Sequence, residues 1–512
     1  MKIIFKKKTI SYGFILCLGI LSSFSLPPYD IFLINFLTFS ALFLFITKQK
    51  FTLTKKEYFL SGWIFGFGYF TSSLYWITIS LTFDQTFKIL IPIAFVLIPL
   101  FLAIFYGLAV YVLFFFKKFS NISLILVFSL TFSISEFIRG SILSGFPWNL
   151  ISFSFSEFLP LLQILSLIGT YSFNLFCITL FVLPSLIYLK KSKQNIYFVG
   201  LFILLLASGL IYGQLKLEKS KDNSIKNNNF IIKVVAPKIT IERFYYTENE
   251  EEILQSLIKL SKPNKEVKTI FVWPEGVFNN TELKNLKKYQ NLFKAKFSNK
   301  HLIIFGLNNT INEKTFNSMA VVNNNLDLIE IYNKNNLVPF GEFLPFEETL
   351  KTIGFKTITN NYQSYSKGKE RDLIDLNYYN LPVRILPLIC YEIIYSGKIF
   401  TNSNFDYIVN ISEDGWFGKS IGPEQHFNHG IFRAIESGKY VLRAANNGTT
   451  AIINPLGVIE QKVDLNKSDY IDLSKSRNIE TTLFAKFGNK IFGFIILLYI
   501  FLIFSFKKLK NE

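Results

Sequence analysis

The stretch LPLICYEIIY, Leu386 to Tyr395, places a cysteine where a strand should end. An apolar run leads up to Cys390, and the polar pair Tyr391-Glu392 follows at once. The 512 residues hold only three cysteines. Cys17 and Cys177 lie inside long apolar runs, where a small soft side chain packs like any hydrophobe. Cys390 alone stands in a polar-punctuated region. Three cysteines provide no disulfide framework, so stability must come from burial.

Outward from Cys390, residues 216–488 read as one polar block of alternating strands and helices, the size of a generous single domain. FIIKVVA, TIFVW, HLIIFGL, SMAVVNN, LDLIEIY, VRILPLI, DYIVNI, YVLRAAN and TAIINPLG read as strands. TENEEEILQSLIKLS reads as a helix with glutamates in its first turn, where the helix dipole favours them, and EQHFNHGIFRAIESG as a second. Many apolar strands with few helices predict a two-sheet core with helices outside, an α/β layered fold.

The flanks differ. Half of all residues are hydrophobic and only 18% are charged, against about 25% in soluble chains. Apolar runs approaching the roughly 20 residues that cross a bilayer fall near 9–26, 31–47, 58–82, 89–116, 121–138, 163–189 and 196–214, with one more at 489–506. Phe158 to Leu189 is too short for two crossings and reads as one tilted helix with an interfacial lead-in. The first run lacks a small-x-small cleavage site and reads as a signal anchor. The expected organisation is therefore seven membrane helices over 1–215, the polar domain over 216–488, and a last span and tail over 489–512.

Charge placement orients this arrangement. With the N-terminus inside, the inside segments hold sixteen lysines, among them Lys6, Lys48, Lys117, Lys190 and Lys507, while the short outside loops offer Lys88 and Arg139. That asymmetry is the positive-inside signature and accounts for most of the net charge of +18, so nucleic acid is not the implied partner. Lys216, Lys219 and Lys221 run against it, but a large translocated domain weakens the charge rule. A transporter or channel would need ionisable groups within its spans, and these offer only Glu136 and Arg139, near one helix end.

Three strands of the polar block run into chemically suggestive residues. TIFVW leads to Pro274-Glu275, LDLIEIY to Asn333-Lys334, and VRILPLI to Cys390. Sites in layered α/β folds gather at strand ends, where a rigid sheet presents side chains on a rim. A free thiol titrates near about 8.5 and needs a base or a nearby cation to become a nucleophile. Glu275 can take its proton, and Lys334 can stabilise the oxyanion of a tetrahedral intermediate. Each residue also has a plain structural reading, as a packed thiol, a turn carboxylate and a solvated lysine. Two competitors use the histidines: a dyad of Cys390 with His426 or His429, and a metal half-site of His426, His429 and Glu424.

Longer motifs carry a resemblance. VWPEG (272–276), YNKNNLVPFGEFLP (332–345), LICYE (388–392), WFGKSIGPEQHF (416–427), ANNGTTAIINPLG (445–457) and, in the apolar part, RGSILSGFPW (139–148) resemble the bacterial apolipoprotein N-acyltransferases over nearly the whole chain. The resemblance implies an eight-span helical bundle carrying a nitrilase-like α-β-β-α layered domain in the periplasm, anchored in the bacterial inner membrane. It implies Glu275 as general base, Lys334 as the oxyanion-stabilising lysine and Cys390 as the acylated nucleophile, opening a turn whose amides help hold an oxyanion. Glu342 would sit as a second carboxylate beside them. Tyr391 and Glu392 would flank the nucleophile, Trp416 would line the acyl or lipid-facing wall, and Trp148 with Pro147 would belong to a membrane-side element beneath the site.

The implied reaction passes an acyl chain from a phospholipid to the α-amine of an S-diacylglyceryl apolipoprotein, within membrane lipid, by a monomer, with no metal or organic cofactor. A membrane-tethered carbon–nitrogen hydrolase would use the same residues with water as acceptor. The chain departs from the family pattern in three places. Ala236-Pro237-Lys238 replaces a Gln/Asn-containing turn, Phe244-Tyr245-Tyr246 an expected tryptophan, and Glu413 the asparagine of the SND-x-WFG motif. These bear on substrate contacts and lid packing.

Overall fold

The computed structural model describes residues 8–219, 226–244, 250–278, 280–352, 354, 356–359, 363–379, 381–399, 404–477 and 479–507. The chain divides into two compact units, Met1–Ser220 with Phe487–Glu512, and Lys221–Lys486.

The first unit is helical: α1 (Lys8–Ser23), α2 (Leu33–Lys48), α3 (Lys55–Leu74), α4 (Ile91–Phe116), α5 (Asn121–Arg139), α6 (Leu159–Leu162), α7 (Leu165–Leu189), α8 (Lys193–Lys219) and the late helix Lys490–Ser505. Among the described residues, Gln85–Phe116, Asn121–Arg139, Leu165–Leu189 and Lys193–Lys219 are long and apolar enough to cross a membrane. Ser11–Ser23, Leu33–Lys48 and Lys490–Ser505 are shorter apolar helices. The run expected as one helix over 58–82 is not continuous: α3 stops at Leu74, and Tyr75–Thr82 is a 3-10 helix. Around the break, Ser72, Ser73 and Thr78 turn their hydroxyls back onto the carbonyls of Gly68, Tyr69 and Tyr75, in competition with the helix's own bonding. The run expected as one helix over 163–189 is α7 from Leu165, with α6 as a lead-in, and it is interrupted at Gly169, whose φ of +72° and ψ of 174° are non-helical. Cys177 is buried as expected, but Cys17 is exposed on α1.

Glu136 is buried in α5, accepting from Tyr106 at 2.7 Å and from Asn174. Arg139, one turn on, gives its guanidinium to the carbonyls of Phe146 and Asn149. Glu136 thus links α5 to α4 and α7, while Arg139 ties down the turn that follows α5.

The second unit holds two six-stranded sheets. The first, in spatial order β12-β1-β2-β3-β4-β5, comprises β1 (Lys226–Ala236), β2 (Thr269–Val272), β3 (His301–Ile311), β4 (Lys314–Asn323), β5 (Leu328–Asn333) and β12 (Asp469–Ser476). The second runs β11-β10-β9-β8-β7-β6, from β6 (Ile374–Asp375), β7 (Arg384–Ile389), β8 (Tyr407–Glu413), β9 (Tyr440–Asn446), β10 (Thr450–Ile453) and β11 (Ile459–Val463). The middle of each sheet is parallel, β1–β2–β3 in one and β7–β8–β9 in the other, and the outer pairings are antiparallel.

One apolar core joins the sheets. Ile232, Val234, Ile270, Val272 and Ile304 of the first share it with Ile385, Ile389, Val409, Leu442 and Ile452 of the second. The other face of the first sheet packs Phe271, Trp273 and Phe305 against Leu254, Leu257 and Ile258 of α9 (Glu250–Ser261) and Phe293 of α10 (Gln290–Lys296). The Glu342 loop carries the short α11 (Glu347–Thr352), and α12 (Gly422–Ser437) precedes β9. The sequence reading missed β6, β11 and β12. β6 has two residues, and the other two have mostly solvent-facing side chains, so neither presents an apolar run.

Candidate active site

Glu275 follows β2 after Trp273-Pro274, Lys334 is the first residue beyond β5, and Cys390 the first beyond β7. The first two belong to one sheet and the third to the other, and the structure brings them together. Trp273 anchors the Glu275 turn: it is fully buried, its indole donates to Ser261 Oγ at 2.9 Å, and its backbone N–H donates to the Ile304 carbonyl at 2.8 Å. Gly306 of β3 presses on the same turn, where a Cβ would stand 2.7 Å from Glu275 Cα.

Lys334 is buried to 1% exposure between two carboxylates. Its Nζ lies 2.9 Å from Glu342 Oε1 and 3.6 Å from Glu275 Oε1. Asn317 of β4 bridges the pair from the other side, its Nδ2 donating to Glu275 Oε1 at 2.7 Å and to Glu342 Oε1 at 2.8 Å. Lys334 is in turn pinned through its backbone N–H, which donates to the Asn317 carbonyl at 2.8 Å. The second Glu275 oxygen accepts from the backbone N–H of Glu413 at 2.9 Å, and the second Glu342 oxygen from that of Val338 at 2.8 Å. Burial pushes the Glu275 carboxyl up; Lys334 draws it down, and Glu342 adds to the rise. Burial opposes the Lys334 ammonium, but Glu342 and Glu275 outweigh it and hold its pKa well above the ordinary value.

Cys390 is half-buried and has φ +48°, a left-handed backbone rare for a side-chain-bearing residue. Strain of this kind, of order 1–3 kcal/mol, persists only where the surroundings over-determine it. They do. Asn410 Nδ2 donates to the Leu388 carbonyl at 3.2 Å, and Arg443 binds both Asn410 Oδ1 and, at 2.6 Å, Asp414 Oδ2. His426 Nδ1 faces Asp414 Oδ1 at 3.0 Å and its Nε2 faces the Cys390 carbonyl at 3.3 Å. Arg443 Nη2 lies 3.1 Å from the same Nδ1, and a neutral ring that accepts there has its Nε2–H to donate to the Cys390 carbonyl. Burial, then Arg443, pushes the His426 pKa down. Glu424 is exposed while His426 and His429 are buried, and among the described residues no three His, Cys, Asp or Glu side chains are grouped to hold a metal ion.

Burial also pushes the Cys390 thiol up, Glu275 adds to this, and Lys334 offsets it only in part. A thiol of weakened acidity, a carboxylate of raised proton affinity and a buried ammonium form a set suited to acyl transfer through a thioester.

The flanking residues divide. Tyr391 is buried, with its ring 5.6 Å from Tyr395. Glu392 is fully buried, and one oxygen accepts from Tyr332 Oη at 2.7 Å, Arg371 Nη2 at 2.8 Å, and the backbone N–H groups of Asn335 and Asn336 at 3.0 Å each. Its other oxygen takes the Ile389 N–H at 2.9 Å. Half-buried Trp416 stacks on Phe244 at 5.3 Å; Tyr245 and Tyr246 lie outside the described residues. Trp148 belongs to the helical unit, where it is buried against Trp76 at 4.8 Å and Phe146 at 6.0 Å. Asn317, Asp414 and Arg443 went unread in the sequence. The signal for Arg443 was there, a lone arginine in the middle of the apolar strand YVLRAAN.

Two family models match. Residues 268–474 fit the carbon–nitrogen hydrolase model, which classes the two-sheet unit, and residues 18–183 fit the apolipoprotein N-acyltransferase N-terminal domain. Curated apolipoprotein N-acyltransferases match over most of the chain. That of Rickettsia prowazekii is 33% identical over 93% of this chain and 94% of its own length, and that of Rhodopseudomonas palustris 28% over 92% and 90%. Among solved structures, a carbon–nitrogen hydrolase superfamily protein from Xanthomonas campestris covers 48% of this chain and 89% of its own, at 15% identity and a TM-score of 0.34. The chain belongs to the apolipoprotein N-acyltransferase family.

Proposed function

We propose that this chain transfers a fatty acyl group from a membrane phospholipid to the α-amine of the S-diacylglyceryl cysteine at an apolipoprotein N-terminus, with Cys390 carrying the acyl group between them. The observation that carries the reading is Lys334, a buried cation held between Glu275 and Glu342 at the strand ends where Cys390 emerges. Cys390 Sγ attacks an ester carbonyl of the phospholipid while Glu275 takes the thiol proton. The oxyanion forms beside Lys334, whose charge needs no reorganisation to meet it. Collapse breaks the ester C–O bond, Glu275 returns the proton to the departing lysophospholipid oxygen, and a thioester remains. The lipoprotein amine then attacks the same carbonyl and Glu275 takes a proton from its nitrogen. The C–S bond breaks to leave the amide, and the proton passes to the sulfur.

Glu342 keeps Lys334 in place, Trp416 lines the acyl path, and Tyr391 and Glu392 flank the nucleophile. The chain acts as a monomer in the bacterial inner membrane. Its seven spans before and one after a four-layered domain leave residues 216–488 in the periplasm. Phe340 and Phe346, exposed on the loop that carries Glu342, suit an apolar mouth open to lipid. There few waters are placed for attack on the thioester, while the acceptor's own acyl chains hold its amine close.

Intact-mass analysis tests the reading. Incubation with phospholipid alone should add one acyl group, lost in neutral hydroxylamine and absent from Cys390→Ala. A diacylated lipopeptide with a free α-amine should discharge the adduct, and one with a blocked amine should leave it intact. Rapid release of free fatty acid regardless of lipopeptide would identify a hydrolase instead.

A further inference from the structure

Arg243, in the turn after β1, and Glu413, the last residue of β8, meet 170 positions apart in sequence. Their side chains form an ion pair of 2.6 Å, and each is only 1% exposed. Arg243 Nε also donates to the Gly276 carbonyl at 3.2 Å, and Nη1 to that of Thr240 at 2.8 Å. The Glu413 carboxylate accepts from the Gly415 N–H at 2.9 Å and from the side-chain amides of Asn446 and Asn447 at 2.6 and 3.1 Å. The two residues also reach the turn that carries Glu275. Arg243 holds the carbonyl of the next residue, and the backbone N–H of Glu413 holds Glu275 Oε2 at 2.9 Å. Gly276 has φ +62°, and a Cβ there would meet the Phe244 ring at 2.8 Å, so the turn has one shape. The Arg243 guanidinium lies 4.3 Å from the centre of that same ring.

A buried ion pair is weak evidence for stability, since apolar residues of similar volume often serve as well. What singles this one out is its place. Paired, it presents no net charge to Glu275. Broken, it would leave one bare charge close to that carboxylate, where low dielectric makes charge count. We infer that Arg243 and Glu413 act as one positioning unit for Glu275, orienting its carboxylate and keeping its surroundings free of any net charge beyond those of Lys334 and Glu342. This rests on Glu275 being the general base. The other groups facing Glu275 are Lys334, Glu342, Asn317, Tyr365 and Cys390.

The test is the rate of acyl-adduct formation on Cys390 against pH, measured on the full-length protein in mixed micelles with phospholipid. Glu413→Gln leaves Arg243 uncompensated, which favours the Glu275 carboxylate and should move the acid limb down by about one pH unit. Arg243→Gln leaves the Glu413 carboxylate unpaired but still held by Gly415, Asn446 and Asn447. That limb should move up by a similar amount, about one unit. The double variant should return the limb to the wild-type position with a lower plateau. Singles that leave the limb in place or shift it the same way, or a double that stays displaced, would overturn the inference. Arg243→Lys keeps the charge but cannot bond Glu413, Gly276 and Thr240 at once. It should hold the limb and lower the plateau about tenfold, and an unchanged plateau would equally overturn the inference, even if the glutamine variants fail to fold. Glu275→Gln separates the two readings. Unimpaired adduct formation would remove Glu275 as base; suppressed formation beside wild-type limbs in the other variants would remove the positioning unit alone.

Discussion

The Lys334 ammonium meets Glu342 at 2.9 Å and Glu275 at 3.6 Å while almost wholly shielded from water. Either carboxylate alone would be costly to bury; the cation and Asn317 together make the cluster tolerable. The balance has a kinetic signature. As the proposed base Glu275 would have to be ionised to accept the thiol proton, and burial raises its pKa with only partial relief from Lys334. Adduct formation should therefore fall as pH drops through a limb lying above the ordinary glutamate value of about 4.3. In Lys334→Met the relief is lost, so the limb should move higher still, and the plateau should fall roughly 10²- to 10³-fold through loss of the oxyanion's partner. Rates of hydroxylamine-labile adduct between pH 4 and 9 (approximate limits of a carboxylate-to-thiol titration) measure both. A limb at the ordinary value in both proteins would argue against Glu275 as the proton acceptor.

Between elements, the Glu392 carboxylate ties the turn that opens at Cys390 to the segment just beyond Lys334. It takes the N–H groups of Asn335 and Asn336 with one oxygen and that of Ile389 with the other. Cys390 beyond one sheet and Lys334 beyond the other are thus held in register by one side chain that the sequence placed beside the site. Arg371 lies against it at 2.8 Å, with side-chain exposures of 7% and 0%. Glu392→Gln should strip that buried arginine of its partner and destabilise the domain by about 3–5 kcal/mol. It should also slow adduct formation in whatever protein remains folded, because Cys390 and Lys334 lose their common tether. Denaturant melts of purified variant and wild type, paired with adduct rates, check this. Full stability would mean that the tether is not a buried ion pair in energetic terms. β12 and β11 lie at the other extreme, as edge strands whose outward residues leave little periodicity to read.

At the scale of the whole chain, the proposed orientation rests on the lysine asymmetry and the apolar runs of the sequence. A chain with Asn280→Cys as its sole cysteine should react with an impermeant thiol reagent on the periplasmic side of intact spheroplasts. Asn280 is exposed in the two-sheet unit, so access depends on the side of the membrane alone. Labelling only after lysis would reverse the orientation. The apolar runs did not say which face of a helix turns inward. Cys17 and Cys177 sit in similar runs, yet one is exposed and the other buried. A lipid-facing surface is as apolar as a helix interface, so composition cannot separate them.

The sequence by itself determined that apolar helices flank an α/β domain and that a glutamate, a lysine and a cysteine stand at three strand ends. Both are written locally, in the length of an apolar run or the residue that ends a strand. Tertiary structure alone decided what surrounds those three. Asn317 reaches Glu275 across 42 positions, Arg443 reaches Asp414 across 29, and Arg243 reaches Glu413 across 170. Such partners are chosen by which backbones the two sheets bring within hydrogen-bond range. A buried charge reads the same in sequence as a solvated one until the fold removes the water around it.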